Sequence, residues 1–161
     1  MEIHLQRTNE LKRTKGELEK KLNVKIKITG KMAEIEGKPL DEYEASHIIE
    51  AVGFGFSARE ALKLKEENML FTKINIKDFT RRKNLEDVRS RIIGTEGKTK
   101  KTLEQISGCD MVLSNNIVGI IGPAEAIENA TTAIKNIVRG SKQSNVYRYL
   151  EKMNRAKREL K

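Results

Sequence analysis

Apolar and polar positions near the start of the chain alternate with the period of a β-strand. Residues 25–28 alternate in this way, Gly30 supplies a turn and residues 32–35 alternate again, which predicts a β-hairpin. Residues 2–5 predict a further strand, and Thr8 is a suitable cap for a helix between that strand and the hairpin. These patterns predict a small unit that mixes helix and sheet.

A second helix is predicted directly after the hairpin. Pro39 fits its first turn, and the apolar periodicity continues to about Val52. Ser57 then caps a short connecting helix over residues 58–66. The two glycines of Gly53-Phe-Gly-Phe are more typical of close packing between domains than of a nucleotide loop. The predicted buried face of the second helix consists of Leu40, Tyr43, Ile48, Ile49 and Val52.

The second half of the chain repeats the same alternation of strand and helix periods. It adds a basic loop over residues 78–84 and a helix that ends at a glycine, Gly94. The predicted strands cover residues 69–76, 111–113 and 117–121. Helices are predicted over residues 85–93 and 123–138, directly after Gly97, and from about Gln143 onward.

The two halves are related by a repeat of 85 residues. It needs no gap over some thirty positions, and this spacing is too long for a solenoid repeat, so a duplicated domain is predicted. We expect domains at residues 1–67 and 68–142, followed by a basic helix at 143–161. The matching pairs are Leu18 and Leu103, Glu19 and Glu104, Gly37 and Gly122, Ala45 and Ala130, Ile49 and Ile134, and Gly55 and Gly140.

One segment of the second half has the features of a phosphate-binding loop. Gly94 and Gly97 allow a tight turn and a close approach of a ligand to the backbone. The helix that follows directs its free N–H groups at the loop, and Lys98, Lys100 and Lys101 add positive charge.

The segment has features of two known kinds of phosphate-binding loop. A nucleotide P-loop would need a glycine at position 92, where the chain has Ile92. The pattern I-I-G-x-x-G-x-x-x-K-x-L-E closely resembles the signature of KH domains, whose GxxG loop clamps about four nucleotides of a single strand. The predicted fold class is therefore α+β, with two tandem type I KH domains, each a three-stranded sheet with helices on one face, plus a C-terminal helix.

The first copy has no intact GxxG loop. The gapless register places residues 9–12 at the loop, and a following helix one turn shorter places residues 13–16 there, with Gly16 as the sole glycine. We favour the second placement because the first leaves too little chain for a strand and a helix. In either case this copy is expected to bind RNA weakly or not at all, and to contact its neighbour or a protein.

The net charge of +9 is distributed unequally. Residues 1–67 contain 13 basic and 13 acidic side chains, whereas residues 68–161 contain 19 basic and 10 acidic ones. A one-sided basic excess favours a polyanionic partner such as RNA. Residues 139–161 contribute eight basic side chains, which suit either a solvated helix end or a second RNA contact.

Several other classes of protein are disfavoured by the composition. The single cysteine, Cys109, forms no internal disulfide and is expected to be buried. Two histidines without a cysteine pair suggest no zinc site, and no arrangement typical of an enzyme or a cofactor site is apparent. No apolar run is long enough to span a bilayer, and the N-terminus does not resemble a signal peptide, so a cytoplasmic location is expected.

The whole pattern resembles the archaeal homologue of the partner-of-Nob family of KH proteins, which assemble the small ribosomal subunit. The resemblance is carried by Gly53-Phe-Gly-Phe-Ser57, the intact loop at 94–97, and Asn145-Val-Tyr-Arg-Tyr-Leu-Glu151. It implies a non-catalytic protein that binds the 3′ region of 16S rRNA during maturation. It also implies the α subunit of initiation factor 2 and the Nob endonuclease as partners. Glu96 departs from the family, which usually has a basic or neutral residue there.

The sequence thus predicts a groove for single-stranded RNA in the second copy. Backbone N–H groups, Arg91, Lys98 and Lys100 are expected to contact phosphates. Ile92, Ile93, Met111 and Leu113 fit either the groove floor or the core. The alternative function is a KH-fold scaffold for protein contacts with only non-specific affinity for nucleic acid. The full predicted site comprises Arg89, Arg91, Ile92, Ile93, Gly94, Thr95, Glu96, Gly97, Lys98, Lys100, Lys101, Met111, Val112 and Leu113.

Overall fold

The computed structural model describes residues 1–160, which form two compact units. The first unit is Met1–Met69 and the second begins at Leu70. Each unit contains one three-stranded sheet together with helices, which confirms the predicted mixture of α and β structure.

The first unit has the strand order β1-β3-β2. Both pairings are antiparallel, with Ile3 opposite Ala33 and Ile26 opposite Ile35, so the predicted hairpin and N-terminal strand are confirmed. The elements are β1 (Glu2–His4), α1 (Asn9–Leu22), β2 (Lys25–Thr29), β3 (Met32–Glu36), α2 (Pro39–Phe54) and α3 (Ala58–Ala61).

Two predictions for the first unit are wrong. Residues 13–16 lie inside α1, which runs without interruption from Asn9 to Leu22, so no loop occurs at either proposed position. Leu40 and Tyr43 are not in the core, because their side chains are 83% and 62% exposed. The apolar periodicity did not distinguish the first turn of α2 from the rest of the helix, whose buried side chains begin only at Ala45.

Gly53, in the last turn of α2, packs against another segment of the first unit. A Cβ at Gly53 would stand 2.5 Å from Cδ2 of Leu5, so the small residue lets the segment after β1 approach the helix. Phe54 and Phe56 stack nearby, with ring centroids 6.1 Å apart. The close contact at Gly53 therefore lies inside the first unit.

The second unit has the strand order β4-β6-β5. Its strands β5 and β6 form an antiparallel hairpin in which Met111 faces Ile120. The elements are β4 (Met69–Asn75), α4 (Leu85–Ile93), α5 (Lys98–Ser107), β5 (Asp110–Ser114), β6 (Ile117–Pro123), α6 (Ala124–Arg139) and α7 (Gln143–Glu159), with a 3-10 turn at Thr95–Gly97 between α4 and α5.

Helix α7 packs on α5 and α6 as part of the second unit. Val146 and Leu150 are buried in its core, and the Asn154 amide donates to the Ile106 carbonyl oxygen at 2.7 Å. The Lys157 ammonium donates to the carbonyl oxygen of Glu125. These contacts use the inner face of the basic helix for packing.

The repeat of 85 residues is present in the structure. Strands β2 and β5, hairpin strands β3 and β6, and helices α2 and α6 begin at positions exactly one repeat apart. Side-chain contacts repeat as well. The carboxylate of Glu19 accepts from Ile26 N at 2.9 Å, and that of Glu104 accepts from Met111 N at 3.0 Å.

The core of the second unit is apolar. It includes Cys109, which is 2% exposed as predicted, and burial raises the pKa of its thiol.

Among residues 1–160, no helix is long and apolar enough to cross a membrane.

Candidate nucleic-acid interface

The loop between α4 and α5 has an unusual backbone. Gly94, Glu96 and Gly97 all have positive φ angles, of 77°, 56° and 75°. The Gly97 N–H donates to the Gly94 carbonyl oxygen at 3.2 Å and closes a tight turn. Helix α4 therefore ends abruptly at Ile93, and α5 restarts at Lys98 in a new direction.

The two glycines of the loop have different roles. Gly94 has φ 77° and ψ 174°, a combination essentially confined to glycine, and a Cβ there would stand 2.7 Å from the Thr99 backbone nitrogen. Gly97 has no atom within 4 Å of its Cβ position and lies in the left-handed region, which Asn and Asp tolerate. Gly94 is thus needed for the fold, whereas Gly97 leaves open space beside the backbone.

Three lysines stand in the first turn of α5. Lys98 and Lys101 are exposed, while Lys100 is half-buried and pairs with the Glu104 carboxylate at 3.6 Å. Glu96 is exposed at the tip of the loop and reduces the positive charge there. The dipole of α5 and the two exposed lysines make this helix start attractive to an anion.

A groove with a volume of about 640 Å³ lies between α4 and the β5–β6 hairpin. We call it the α4–β5 groove. Its apolar wall is formed by Ile93, which is 39% exposed, and by the half-buried Leu113. The complete lining consists of Glu86, Arg89, Ser90, Ile93, Leu113, Asn115 and Asn116.

A hydrogen bond joins the two sides of this groove. Arg89 donates from Nη1 to the side-chain oxygen of Asn116 at 2.6 Å, from α4 to the turn of the hairpin. The main chain fixes that turn, because the Asn116 carbonyl oxygen accepts from Ile76 N at 2.9 Å and Asn115 adopts φ 53°. Since Asn116 is neutral, Arg89 keeps its charge uncompensated by this bond.

The apolar residues predicted for the site divide into two groups. Ile92 and Met111 are 3% and 2% exposed and belong to the core. Ile93 and Leu113 line the α4–β5 groove, and Val112 is half-buried without lining it. The sequence left both interpretations open for these side chains. Ile92 and Met111 are core residues, whereas Ile93 and Leu113 line the groove.

Arg91 points away from the α4–β5 groove. Its guanidinium donates to the carbonyl oxygens of Ile137 and Ser141, at 3.2 and 2.7 Å, and so ties α4 to the turn between α6 and α7. Gln143 donates from its amide to the Arg91 carbonyl oxygen at 3.4 Å. The structure thus gives Arg91 a packing role that the sequence prediction of a phosphate contact did not include.

A second concavity lies beside the loop, along the face of α4 that carries Arg91. We call it the α4–α7 depression, and its volume is about 420 Å³. The sequence analysis did not single out Arg82 or Gln143, although the basic run at positions 81–83 was a signal for Arg82. The lining consists of Arg82, Asp87, Ser90, Arg91, Gly94, Thr95, Thr99 and Gln143.

Comparison with known protein families identifies the second unit. A family model described as the eukaryotic-type KH domain (KH-domain type I), for the second KH domain of PNO1, matches residues 70–155. A KH domain-containing protein of Methanocaldococcus jannaschii is 31% identical over 91% of this chain and 69% of its own length. The RNA-binding protein PNO1 of Oryzias latipes is 34% identical over 65% of this chain, which spans 44% of that longer protein.

Solved structures share the fold over nearly the whole chain. Dim2p of Pyrococcus horikoshii superposes with a TM-score of 0.84 at 33% identity, covering 94% of this chain and 98% of that one. The same protein has been solved in a complex of a/eIF2alpha, aDim2p and rRNA, with a TM-score of 0.83 over 97% of this chain and 94% of that one. With the loop, the groove and the matched residues together, this chain belongs to the type I KH family, in the group of the PNO1 and Dim2 proteins.

Proposed function

We propose that this chain is a single-stranded RNA-binding protein of small-subunit ribosome maturation, and that it binds the 3′ region of 16S rRNA without catalysing a reaction. The main support is the juxtaposition in the second unit of the Gly94–Gly97 turn, the exposed lysines of α5 and the α4–β5 groove. The rRNA in the complex of the Pyrococcus relative adds to it.

We interpret the two units as tandem KH domains of unequal function. The support is the repeat, since β2, β3 and α2 have counterparts 85 residues later in β5, β6 and α6. The first unit has one continuous helix in place of the loop, so it lacks the backbone turn that would contact phosphates. RNA binding is therefore assigned to the second unit.

In the proposed complex, the strand crosses the loop with its phosphates against the start of α5. Lys98 and Lys101 supply charge without a carboxylate partner among residues 1–160, which lets them replace counterions of the RNA. Ile93 and Leu113 contact the faces of bases in the α4–β5 groove. Arg89 exchanges its bond to Asn116 for a contact to the RNA, because a neutral amide holds it less strongly than a phosphate does.

The α subunit of initiation factor 2 is the proposed protein partner, since the Pyrococcus relative was solved in a complex that contains it. The Nob endonuclease is proposed as a further partner from the resemblance described above. These partners would make the protein an adaptor between rRNA and the factors that act on it.

A specific surface favours a protein-binding role for the first unit. Leu40 and Tyr43 are exposed on α2. The rings of Tyr43 and His47 form a T-shaped pair with their centroids 4.7 Å apart. Residues 39–54 contain four acidic side chains and no lysine or arginine. An apolar stripe with acidic neighbours suits a basic protein segment and is unfavourable for RNA.

The decisive experiment compares two variants of the loop. Gly97→Asp and Gly97→Asn have nearly the same shape, both tolerate the left-handed backbone, and both point into open space. They differ in the negative charge beside the phosphates. Affinity for a labelled RNA that matches the 16S 3′ end would be measured with both variants and with a scrambled RNA of equal length.

We expect Gly97→Asp to lose binding, Gly97→Asn to retain most of it, and the wild type to prefer the matched RNA. The slope of log affinity against log salt should be steep, at about −0.7 per phosphate contacted. Equal losses in the two variants would show that the backbone rather than the charge matters. Unchanged binding in the folded Asp variant would exclude the loop as the RNA site.

The partner surface is tested separately with Leu40→Ser and Tyr43→Ser. Both side chains are exposed, so the variants should fold, and RNA affinity should stay at the wild-type value. If helix α2 of this chain is the contact surface, both variants should bind the purified α subunit of initiation factor 2 more weakly than the wild type does. Wild-type affinity in both variants would show that this partner binds another surface of the protein.

A further inference from the structure

Two guanidinium groups converge in the α4–α7 depression. A Cβ placed on Gly140 would be 3.8 Å from Nη1 of Arg91 and 3.9 Å from Nη2 of Arg82. Both arginines thus reach within 4 Å of the same point although they come from different segments of the chain. A single phosphate group accepts hydrogen bonds from two arginines arranged around it in this way.

The two arginines are held differently. Arg91 is half-buried, and its bonds to Ile137 and Ser141 use two of its five N–H donors, so the others are available in a fixed position. Arg82 is exposed, and its backbone N–H donates to the Thr80 hydroxyl at 3.2 Å. No ion pair compensates either guanidinium among residues 1–160. The depression therefore has one rigid and one adjustable cation.

The depression is continuous with the proposed RNA path. Gly94 and Thr95 of the loop form part of its lining, and Ser90 lines both the depression and the α4–β5 groove. A strand that crosses the loop therefore enters the depression directly. Asp87 also lines it, and its carboxylate weakens the attraction for an anion without pairing to either arginine.

We propose that the α4–α7 depression is a second phosphate subsite, in which Arg82 and Arg91 bind a backbone phosphate of the nucleotides that continue beyond the loop. This inference rests on the proposed RNA-binding function and extends it. The groove of a KH domain holds about four nucleotides. The subsite makes affinity depend on RNA outside that core.

The experiment compares RNAs of two lengths. One contains about four nucleotides, the content of a KH groove, and the others extend it to roughly twice that length on its 5′ or its 3′ side. Each is titrated with the wild type, Arg82→Ala and Lys83→Ala. Lys83 is the matched control, because it is the adjacent exposed cation and lies outside the lining of the depression.

One of the two extended RNAs should bind the wild type several-fold more tightly than the core RNA. Arg82→Ala should remove that gain, reduce the salt slope for the extended RNA by about 0.7 and leave the core RNA unaffected. Lys83→Ala should preserve the gain. Asp87→Asn should increase the affinity for the same extended RNA, since it removes a negative charge from the subsite.

The outcomes separate this inference from the function on which it rests. Equal affinity of the wild type for all three RNAs, or equal losses in Arg82→Ala and Lys83→Ala, would overturn the subsite and leave the RNA-binding function intact. Failure of the wild type to bind any of the RNAs would overturn both. A circular dichroism spectrum identical to the wild type is required of each variant.

Discussion

The two units differ most clearly in backbone conformation where residues 9–12 of the first correspond to residues 94–97 of the second. Asn9, Leu11 and Lys12 stand where the second unit has the positive φ angles of Gly94, Glu96 and Gly97. In the first unit Leu11 is fully buried and the segment is the start of α1. The second unit breaks its helix at this point and exposes the loop.

This difference shows how a binding loop depends on a few backbone positions. The hairpin region is retained, since both units keep the carboxylate bond to the first strand of the hairpin and a glycine at or near the end of its second strand. The first unit also has no counterpart of α4, because β1 ends only five residues before α1 begins. Without that helix there is no groove wall, so the loss of the glycines and the loss of the groove belong together.

The largest expected effect is the loss of folding stability in Gly94→Ala, compared with the matched substitution Asn9→Ala in the first unit. The alanine at position 94 would adopt a backbone reserved for glycine and would overlap Thr99, which together should cost about 2–4 kcal/mol. Asn9 is exposed at the first turn of α1, where alanine should change stability by less than about 0.5 kcal/mol. Hydrogen exchange resolved to peptides of each unit would measure both.

A destabilisation in the second unit alone would support the assignment of Gly94 as the residue that forces the helix break. Equal and small effects of the two substitutions would mean that the loop adopts another backbone conformation, and the comparison between the units would lose its basis.

The glycine at the end of the hairpin, Gly37 in the first unit and Gly122 in the second, gives a smaller contrast in stability. A Cβ at Gly122 would overlap the Cys109 side chain, whereas one at Gly37 would meet Cγ1 of Val24 at 2.9 Å. Gly122→Ala should cost about 1–3 kcal/mol through overpacking, and Gly37→Ala less. Cys109→Ala should recover part of the loss in Gly122→Ala. Thermal unfolding of the single and double variants would test this, and absence of any recovery would reject the steric cause.

The carboxylate bonds to β2 and β5 should contribute equally in the two units. Glu19→Ala and Glu104→Ala each remove the acceptor of a backbone N–H, at 2.9 and 3.0 Å, and each should cost about 1 kcal/mol. The measurement is denaturant unfolding followed by exchange at Ile26 and Met111. Unequal costs would indicate that the Lys100–Glu104 ion pair stabilises the second bond, since Lys15 and Glu19, one repeat earlier, form no such pair among residues 1–160.

Local signals in the sequence were sufficient for the hairpins, the repeat and the loop. Alternation marks the strands, and glycines that need positive φ mark the turn at residues 94–97, so these features required no knowledge of long-range contacts. The uninterrupted α1 was not predicted, because Gly16 suggested a second loop. In the structure Gly16 lies inside the helix, with open space at its Cβ position.

Features that depend on distant partners were not accessible from the sequence. Arg91 bonds to carbonyl groups 46 and 50 residues away, so the sequence predicted a phosphate contact for it but not this packing role. Ile92 and Ile93 are adjacent and equally apolar, yet one is in the core and the other lines the groove. Only the packing of α4 distinguishes them.

The smallest expected effect is a pH dependence confined to the first unit. Glu10 accepts from Ala58 N at 3.0 Å, and this bond, followed by that of Arg13, holds the pKa of the Glu10 carboxyl below its ordinary value of 4.5. A lowered folded-state pKa contributes stability that is present above the unfolded value and is lost as the pH falls through the folded value. Its counterpart in the second unit, Thr95, does not titrate. Between pH 7 and pH 3, Glu10→Gln should therefore flatten the pH dependence of exchange at Ala58 and leave that of the second unit unchanged, whereas an unaltered slope at Ala58 would show that another acid links α1 to α3.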